Sequence, residues 1–324
     1  MHTQIDPISE TRPSARYAAI DIGTVTSRLL VADIDAAGLH EREKDHAITN
    51  LGEGVDATGY LKRQAMERVA AQIAVFQKKI AAHQDSEHPK ITTITTATSA
   101  SRDAKNAAEF LAILQNLGIE LTIIPGEKEA KLAFLGVSNS FPKECLLVVD
   151  IGGGSTEISA GCTGELPRLS CSIDVGCRRV TERFLRSDPP CEEELHEARL
   201  WIRSMMGGCF EKLSKSGFSM DRMVAVAGTA TSAVSIHKKM EVYDSRLVHG
   251  SVLERSDILA IYERLRHLPL EARRQTLGLD PDRADVIVAG LEILLIILDL
   301  AGRESVTVSE SDILQGIILD TAAK

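Results

Sequence analysis

Two stretches of the chain pass from an apolar run to an acid, then glycine, then hydroxyls, in the same order. In the first, Tyr17-Ala18-Ala19-Ile20 leads into Asp21-Ile22-Gly23-Thr24-Val25-Thr26-Ser27 and a second apolar run, Leu29-Leu30-Val31-Ala32. In the second, Leu146-Leu147-Val148-Val149 leads into Asp150-Ile151-Gly152-Gly153-Gly154-Ser155-Thr156-Glu157. Short apolar runs punctuated by glycine predict buried strands, so each stretch predicts a strand–turn–strand hairpin. Aligning Asp21-Ile22-Gly23 on Asp150-Ile151-Gly152 puts Thr26-Ser27 on Ser155-Thr156. Such self-similarity predicts a duplicated fold with two hairpins facing each other.

Elsewhere the pattern alternates between helical and strand periods. Val69, Ile73, Phe76 and Ile80 mark an amphipathic helix within 61–83, and a β-branched strand follows at 91–96. The hydroxyl-rich turn Ala97-Thr98-Ser99-Ala100-Ser101-Arg102 enters a helix that stops at Gly118. A strand at 119–124 and the turn Pro125-Gly126 precede a helix opening Glu127-Lys128-Glu129-Ala130. The second half predicts a strand near 166–173, helices near 178–185 and 192–213, and a third strand–glycine–hydroxyl turn over 223–232. In that turn Gly228, Thr229 and Thr231 form a third candidate ligand loop. Helices at 256–268, 270–277 and about 283–300, a strand at 305–308 and a helix at 313–321 complete the chain. The order predicts an α/β protein of two domains, one of residues 1–125 plus about 310–324 and one of 126–309, with residues 1–15 as a tail.

Bulk properties narrow the function. At 324 residues the chain suits two cores, and 44% hydrophobic with 26% charged residues is a soluble composition. A net charge of −9 leaves no basic surplus for general nucleic-acid binding. The N-terminal residues carry no apolar run, and the most apolar segment, 286–300, holds Glu292 and Asp299 and is short for a bilayer. It reads as a core helix, although the same surface would serve a homodimer. Six cysteines without a C-x-x-C pair predict reduced thiols in a cytoplasmic protein, with no membrane partner.

The chemistry concentrates in the glycine turns. Glycines without Cβ let backbone amides close on an anion, Ser155 and Thr156 add donors, and Asp150 and Glu157 would hold a metal between carboxylate and phosphate. A plain β-turn is the bland alternative, and three glycines between two acids weigh against it. Arg102 either points into the cleft or is a solvated helix-start arginine; position alone leaves both open. Glu127 and Glu129 in a first helical turn complement the helix dipole by default, but this helix starts where the chain crosses between the two halves.

Together these motifs resemble the exopolyphosphatase/guanosine pentaphosphate phosphohydrolase (Ppx/GppA) family, within the actin-like, sugar kinase and Hsp70 superfamily. The carriers are Asp21–Thr24, Ala97-Thr98-Ser99 with Arg102-Asp103-Ala104, Gly126-Glu127-Lys128-Glu129-Ala130, Asp150–Glu157, Gly228–Ser232, Arg283-Ala284-Asp285 and Ser311-x-x-Leu314-x-Gly316. The resemblance implies two actin-like (ribonuclease H-like) domains around a cleft. It implies Glu129 as general base, and Asp150 and Glu157 as ligands of Mg²⁺ or Mn²⁺, with a monovalent cation as a further candidate. Phosphate contacts would come from Asp21, Gly23, Thr24, Thr26, Ser27, Arg102, Gly152, Gly153, Gly154, Ser155 and Thr156. Val25-Thr26-Ser27 departs from the Ser-Asn-Ser common in the family, and the chain resembles the short, two-domain branch. The implied reaction is release of orthophosphate from inorganic polyphosphate, with short chains preferred. Guanosine pentaphosphate is the alternative substrate, and an actin-like or kinase-type ATP binder is the alternative of a different class.

Overall fold

The structure, a computed structural model, describes residues 15–324; the N-terminal tail expected over 1–15 lies almost wholly outside them. Two sheets carry the fold. The first comprises β1 (Ala15–Ile22), β2 (Thr26–Asp35), β3 (Gly38–Ile48), β4 (Thr92–Ala97) and β5 (Leu121–Ile123), in spatial order β3-β2-β1-β4-β5. The second comprises β6 (Cys145–Ile151), β7 (Thr156–Cys162), β8 (Leu169–Ile173), β9 (Arg222–Val226), β10 (Val252–Glu254) and β11 (Ser305–Val308), in order β10-β11-β9-β6-β7-β8.

Counted from the third strand of each meander, the two orders match: three antiparallel strands, then two parallel ones, with β10 added at one edge. This is the duplicated ribonuclease H-like arrangement that the paired hairpins predict. The apolar runs explain it, since Ala18–Ile22 and Leu146–Ile151 are buried and sit at the centres of their sheets.

Helices cover both faces. The apolar helix Ile287–Ala301 is buried from Ile287 to Leu298 inside its own chain, so it is core. The C-terminal helix Ile313–Ala322 returns to the first sheet, where Leu314, Ile317 and Ile318 pack with Ala19, Leu30, Leu132 and Ala133. That contact anchors the helix Gly126–Ser138, which carries Glu129, between the two sheets.

The expectation of six reduced thiols is corrected for four of them, Cys177 and Cys191 being free. Cys145 and Cys162, cross-strand partners on β6 and β7, are disulfide-bonded, as are Cys171 on β8 and Cys209 on the helix Glu192–Lys215. Spacings of 17 and 38 residues leave no local signature, because sheet register and helix packing create the proximity. Among the described residues no helix is long and apolar enough to cross a membrane.

Candidate active site

The two hairpin turns close in the same way. Gly23 N donates to Thr26 O at 2.9 Å and Gly152 N to Ser155 O at 3.0 Å. Among the described residues the amides of Thr24, Val25, Gly153 and Gly154 donate to no backbone carbonyl. Peptide donors need partners, and a row of free ones at a turn is an anion cradle. The turns touch: a Cβ on Gly153 would lie 2.6 Å from Val25 Cγ2, so glycine is what lets the loops meet.

Between them lies a cavity of about 70 Å³. Of the expected site residues it is lined by Asp21, Gly23, Thr24, Thr26, Glu129, Asp150, Gly152, Gly153, Gly154, Ser155, Gly228 and Thr229. Five others sit elsewhere. Ser27 is buried with its hydroxyl against Thr49, and the Thr156 hydroxyl donates to Val175 O, so strand alternation turns both away from the cavity. Glu157 stands behind the cavity and accepts 2.7 Å from Ser172 Oγ on β8. Thr231 lines a second, larger cavity next door. Arg102 reaches the site from its edge.

Glu129 is 8% exposed on the first turn of its helix, whereas Glu127 is exposed to solvent. The two acids of this turn therefore differ in placement, Glu129 at the cavity and Glu127 in solvent. Arg102 Nη1 donates to Glu129 Oε2 at 2.6 Å and to Ile124 O at 3.1 Å, while Nη2 lies 3.5 Å from Ser155 Oγ. The guanidinium thus spans the cleft rather than facing solvent. Burial pushes Glu129 up to about 7, and nearby Asp21 and Asp150 add to the rise against the opposing pull of Arg102. Asp150 is likewise pushed up to about 7 by burial and by Asp312 and Asp21, with Arg28 opposing. Burial, then Glu129 and Asp150, hold Glu157 well above its ordinary range.

Two arginines outside the expected site set carry charge here, Arg28 and the family-motif residue Arg283. Arg28 is the register partner of Asp21 as Glu157 is of Asp150, each seven positions on. Its guanidinium bridges Asp21 at 2.6 Å and Asp312 at 2.7 Å. The seven-residue repeat would have found it. Arg283 has no carboxylate within ion-pair distance among the described residues; Nη2 donates to Thr26 Oγ1 at 3.2 Å. A Cβ on Gly228 would fall 1.5 Å from Arg283 Nη1, so that glycine makes room for the guanidinium. Burial, with the neighbouring Arg28, lowers the pKa of Arg283.

The acids fit a divalent cation. Asp21 Oδ1 is buried without a hydrogen-bond partner, Asp21 raises the proton affinity of Asp150, both raise that of Glu129, and Glu129 and Asp150 raise that of Glu157. Among the described residues no three acids, histidines or cysteines converge closely enough to enclose a metal alone. That suits Mg²⁺, which takes one or two carboxylates and completes its shell with phosphate oxygens and water. Besides Glu129, the carboxylates that line the cavity are Asp21 and Asp150, and Glu157 is not among them.

These shifts imply a stability profile. Carboxylates whose folded pKa is raised make the native state bind more protons than the unfolded one, so stability falls as pH rises through the window between the ordinary and raised values. For Glu129 and Asp150 that window runs from 4.5 and 3.8 to about 7. Metal-free protein should therefore gain more thermal stability from MgCl₂ at about pH 8 than at about pH 5.5. An equal gain at both would separate the metal from these acids.

A family model described as the Ppx/GppA phosphatase family matches residues 30–324. The chain belongs to the Ppx/GppA phosphatase family. Exopolyphosphatase 2 of Mycobacterium tuberculosis is 34% identical over 95% of this chain and 98% of its own length. The bifunctional 3-dehydroquinate synthase/phosphatase of Fusobacterium nucleatum is 36% identical over 94% of this chain, which spans only 46% of that protein. Among solved structures, an exopolyphosphatase-like protein superposes with a TM-score of 0.86 at 31% identity, covering 96% of this chain and 98% of its own. As a Ppx/GppA member the chain is a phosphoanhydride hydrolase.

Proposed function

We propose that this Ppx/GppA protein releases orthophosphate from the end of inorganic polyphosphate, with Mg²⁺ or Mn²⁺, and favours short chains. The observation that carries the reading is a desolvated glutamate, Glu129, held by Arg102 at a phosphoryl-sized cavity between two amide cradles. Asp21 and Asp150 would hold the divalent ion, which when bound offsets charge on the phosphates.

The chain's own groups account for the rest. Amides of Thr24, Val25, Gly153 and Gly154 receive the terminal phosphoryl oxygens. Preorganised donors in a dry site are worth more than in water because they need not reorient as charge moves to the leaving oxygen. Glu129, with a pKa near working pH, takes the proton of the attacking water. The water's oxygen bonds to phosphorus as the anhydride P–O bond breaks, and the remaining phosphates leave as an anion toward Arg28 and Arg283.

Those arginines open onto the second cavity, about 770 Å³ in volume. It carries Lys44 and Arg274 as well, but also Asp45, Glu241, Asp280, Glu310 and Asp312. So many acids resist a long polyanion, which supports the short-chain preference. The same cavity supports the second reading, guanosine pentaphosphate. Ser232, Ser235, Met240, Leu277 and Leu279 offer hydroxyls and apolar surface of the kind that receives a nucleoside.

Phosphate release with Mg²⁺ from short polyphosphate, long polyphosphate, guanosine pentaphosphate and ATP, run side by side, tests the proposal. The expected order of kcat/KM has short polyphosphate first and ATP last. Guanosine pentaphosphate in first place would favour the second reading, and a preference for ATP would reject both.

A further inference from the structure

The helix Cys177–Phe184 follows β8 and begins against the back of the second phosphate loop. Cys177 N donates to Gly152 O at 3.0 Å, and Arg178 N and Arg179 N donate to Gly153 O at 2.8 and 3.1 Å. From that fixed start the Arg179 side chain uses every face of its guanidinium. Nε donates to Gly154 O at 2.8 Å, Nη1 to Asp56 Oδ1 at 2.6 Å, and Nη2 to Asp103 Oδ2. The side chain is only 14% exposed, so solvent screens these pairs weakly.

The three contacts belong to three different parts of the site. Gly154 is in the second phosphate loop. Asp56 lies on the short helix Val55–Thr58, reached from residues 49–52, whose amides at Thr49, Asn50 and Gly52 donate to Val25 O or Thr24 O in the first phosphate loop. Asp103 directly follows Arg102 on the short helix Ser99–Asp103, and Arg102 is the arginine paired with Glu129. Neighbouring Arg178 repeats the pattern once more, donating to Asn50 Oδ1 and Asp285 Oδ2, each at 2.6 Å.

We propose that Arg179 is a positioning residue for the hydrolysis proposed above: fixed on the second phosphate loop, it holds Asp103 and so aims the adjoining Arg102 at Glu129 and the reacting phosphoryl group. A guanidinium suits this because its planar fork fixes the directions of its donors, whereas an ammonium is a point charge that cannot hold three acceptors in that layout. Arg179 is not itself a lining residue of the small cavity, so it acts through Asp103 and Arg102.

The test is a double-variant cycle read in kcat, using the full chain with Mg²⁺ and short polyphosphate. Arg179→Ala should lower kcat by about 10- to 100-fold, the scale of a misplaced reacting group, with a much smaller change in KM. Arg179→Lys should recover part of the loss. In an Arg102→Ala background the same Arg179→Ala change should cost little more, because its effect passes through Arg102. A role in stability alone would give losses that multiply in the double variant.

Should Arg179→Ala fail to fold, Asp103→Asn removes one arm of the contact at a partly exposed position and enters the same cycle. Multiplying losses, or a kcat within about twofold of wild type, would overturn the proposal while leaving the hydrolase reading intact. An inactive wild type on every phosphoanhydride tested would overturn both.

Discussion

Replacing Glu129 with Gln is expected to lower kcat on short polyphosphate by about 10²–10⁴-fold, the usual contribution of a positioned general base. The amide keeps the volume of the side chain and an oxygen for Arg102 to donate to, so the helix Gly126–Ser138 should stay in place. What the variant lacks is a group able to take a proton from water. KM should change little, because in the proposed mechanism substrate is gripped by the loop amides rather than by the base. Thermal stability should not fall either. The carboxylate is buried and its proton affinity is raised, so its charge at neutral pH costs the folded state free energy. A variant that folds, binds polyphosphate and turns over at the wild-type rate would remove Glu129 from the base role.

Asp150→Asn should produce a loss of similar size by a different route. Asp150 is buried at the end of β6, crowded by Asp21 and Asp312, and opposed only in part by Arg28. Loss of a cation that cancels phosphoryl charge removes several kcal/mol of transition-state stabilisation, or about 10²–10⁴ in rate. The variant also carries a readout independent of activity. Without divalent ions at about pH 8 its thermal midpoint should lie above that of the wild type, since the amide removes an uncompensated buried charge. Its midpoint should in turn respond less to MgCl₂. An undiminished magnesium shift in Asp150→Asn would move the ion elsewhere.

The fold is legible in the chain where burial imposes a pattern. Runs such as Leu146–Val149 sit at sheet centres, and the glycine turns between such runs mark the duplication by their spacing alone. Strand β3 is not legible. Its residues His40-Glu41-Arg42-Glu43-Lys44-Asp45-His46 are nearly all charged because it is an edge strand with little buried surface, so no hydrophobic alternation announces it. The helix expected to enter from the Arg102 turn and stop at Gly118 is two pieces, Ser99–Asp103 and Ala107–Gln115. The break aims Arg102 inward and leaves Asp103 for Arg179.

Within the site, position along the chain reveals the loops and Glu129 but not which side chains face inward. Ser27 and Thr156 sit one residue past the turn, where strand alternation sends them into the core. Glu157 pairs with Asp150 across the hairpin yet turns to Ser172 on the next strand of the meander, a register that the sequence pattern alone does not fix. Arg283 reaches Thr26 from 257 residues away, a proximity that only the packed helices create. Charge balance of this kind is a tertiary property: the motif Arg283-Ala284-Asp285 marks the residue but not its partner.

The most direct test of the account is hydrolysis of short polyphosphate in heavy-oxygen water with Mg²⁺, following isotope in the released orthophosphate. The account predicts one solvent oxygen in each orthophosphate set free by the first cleavage of a chain, formed rapidly by the wild type and almost not at all by Glu129→Gln. Orthophosphate released at equal rates by both proteins, or without solvent oxygen, would contradict it.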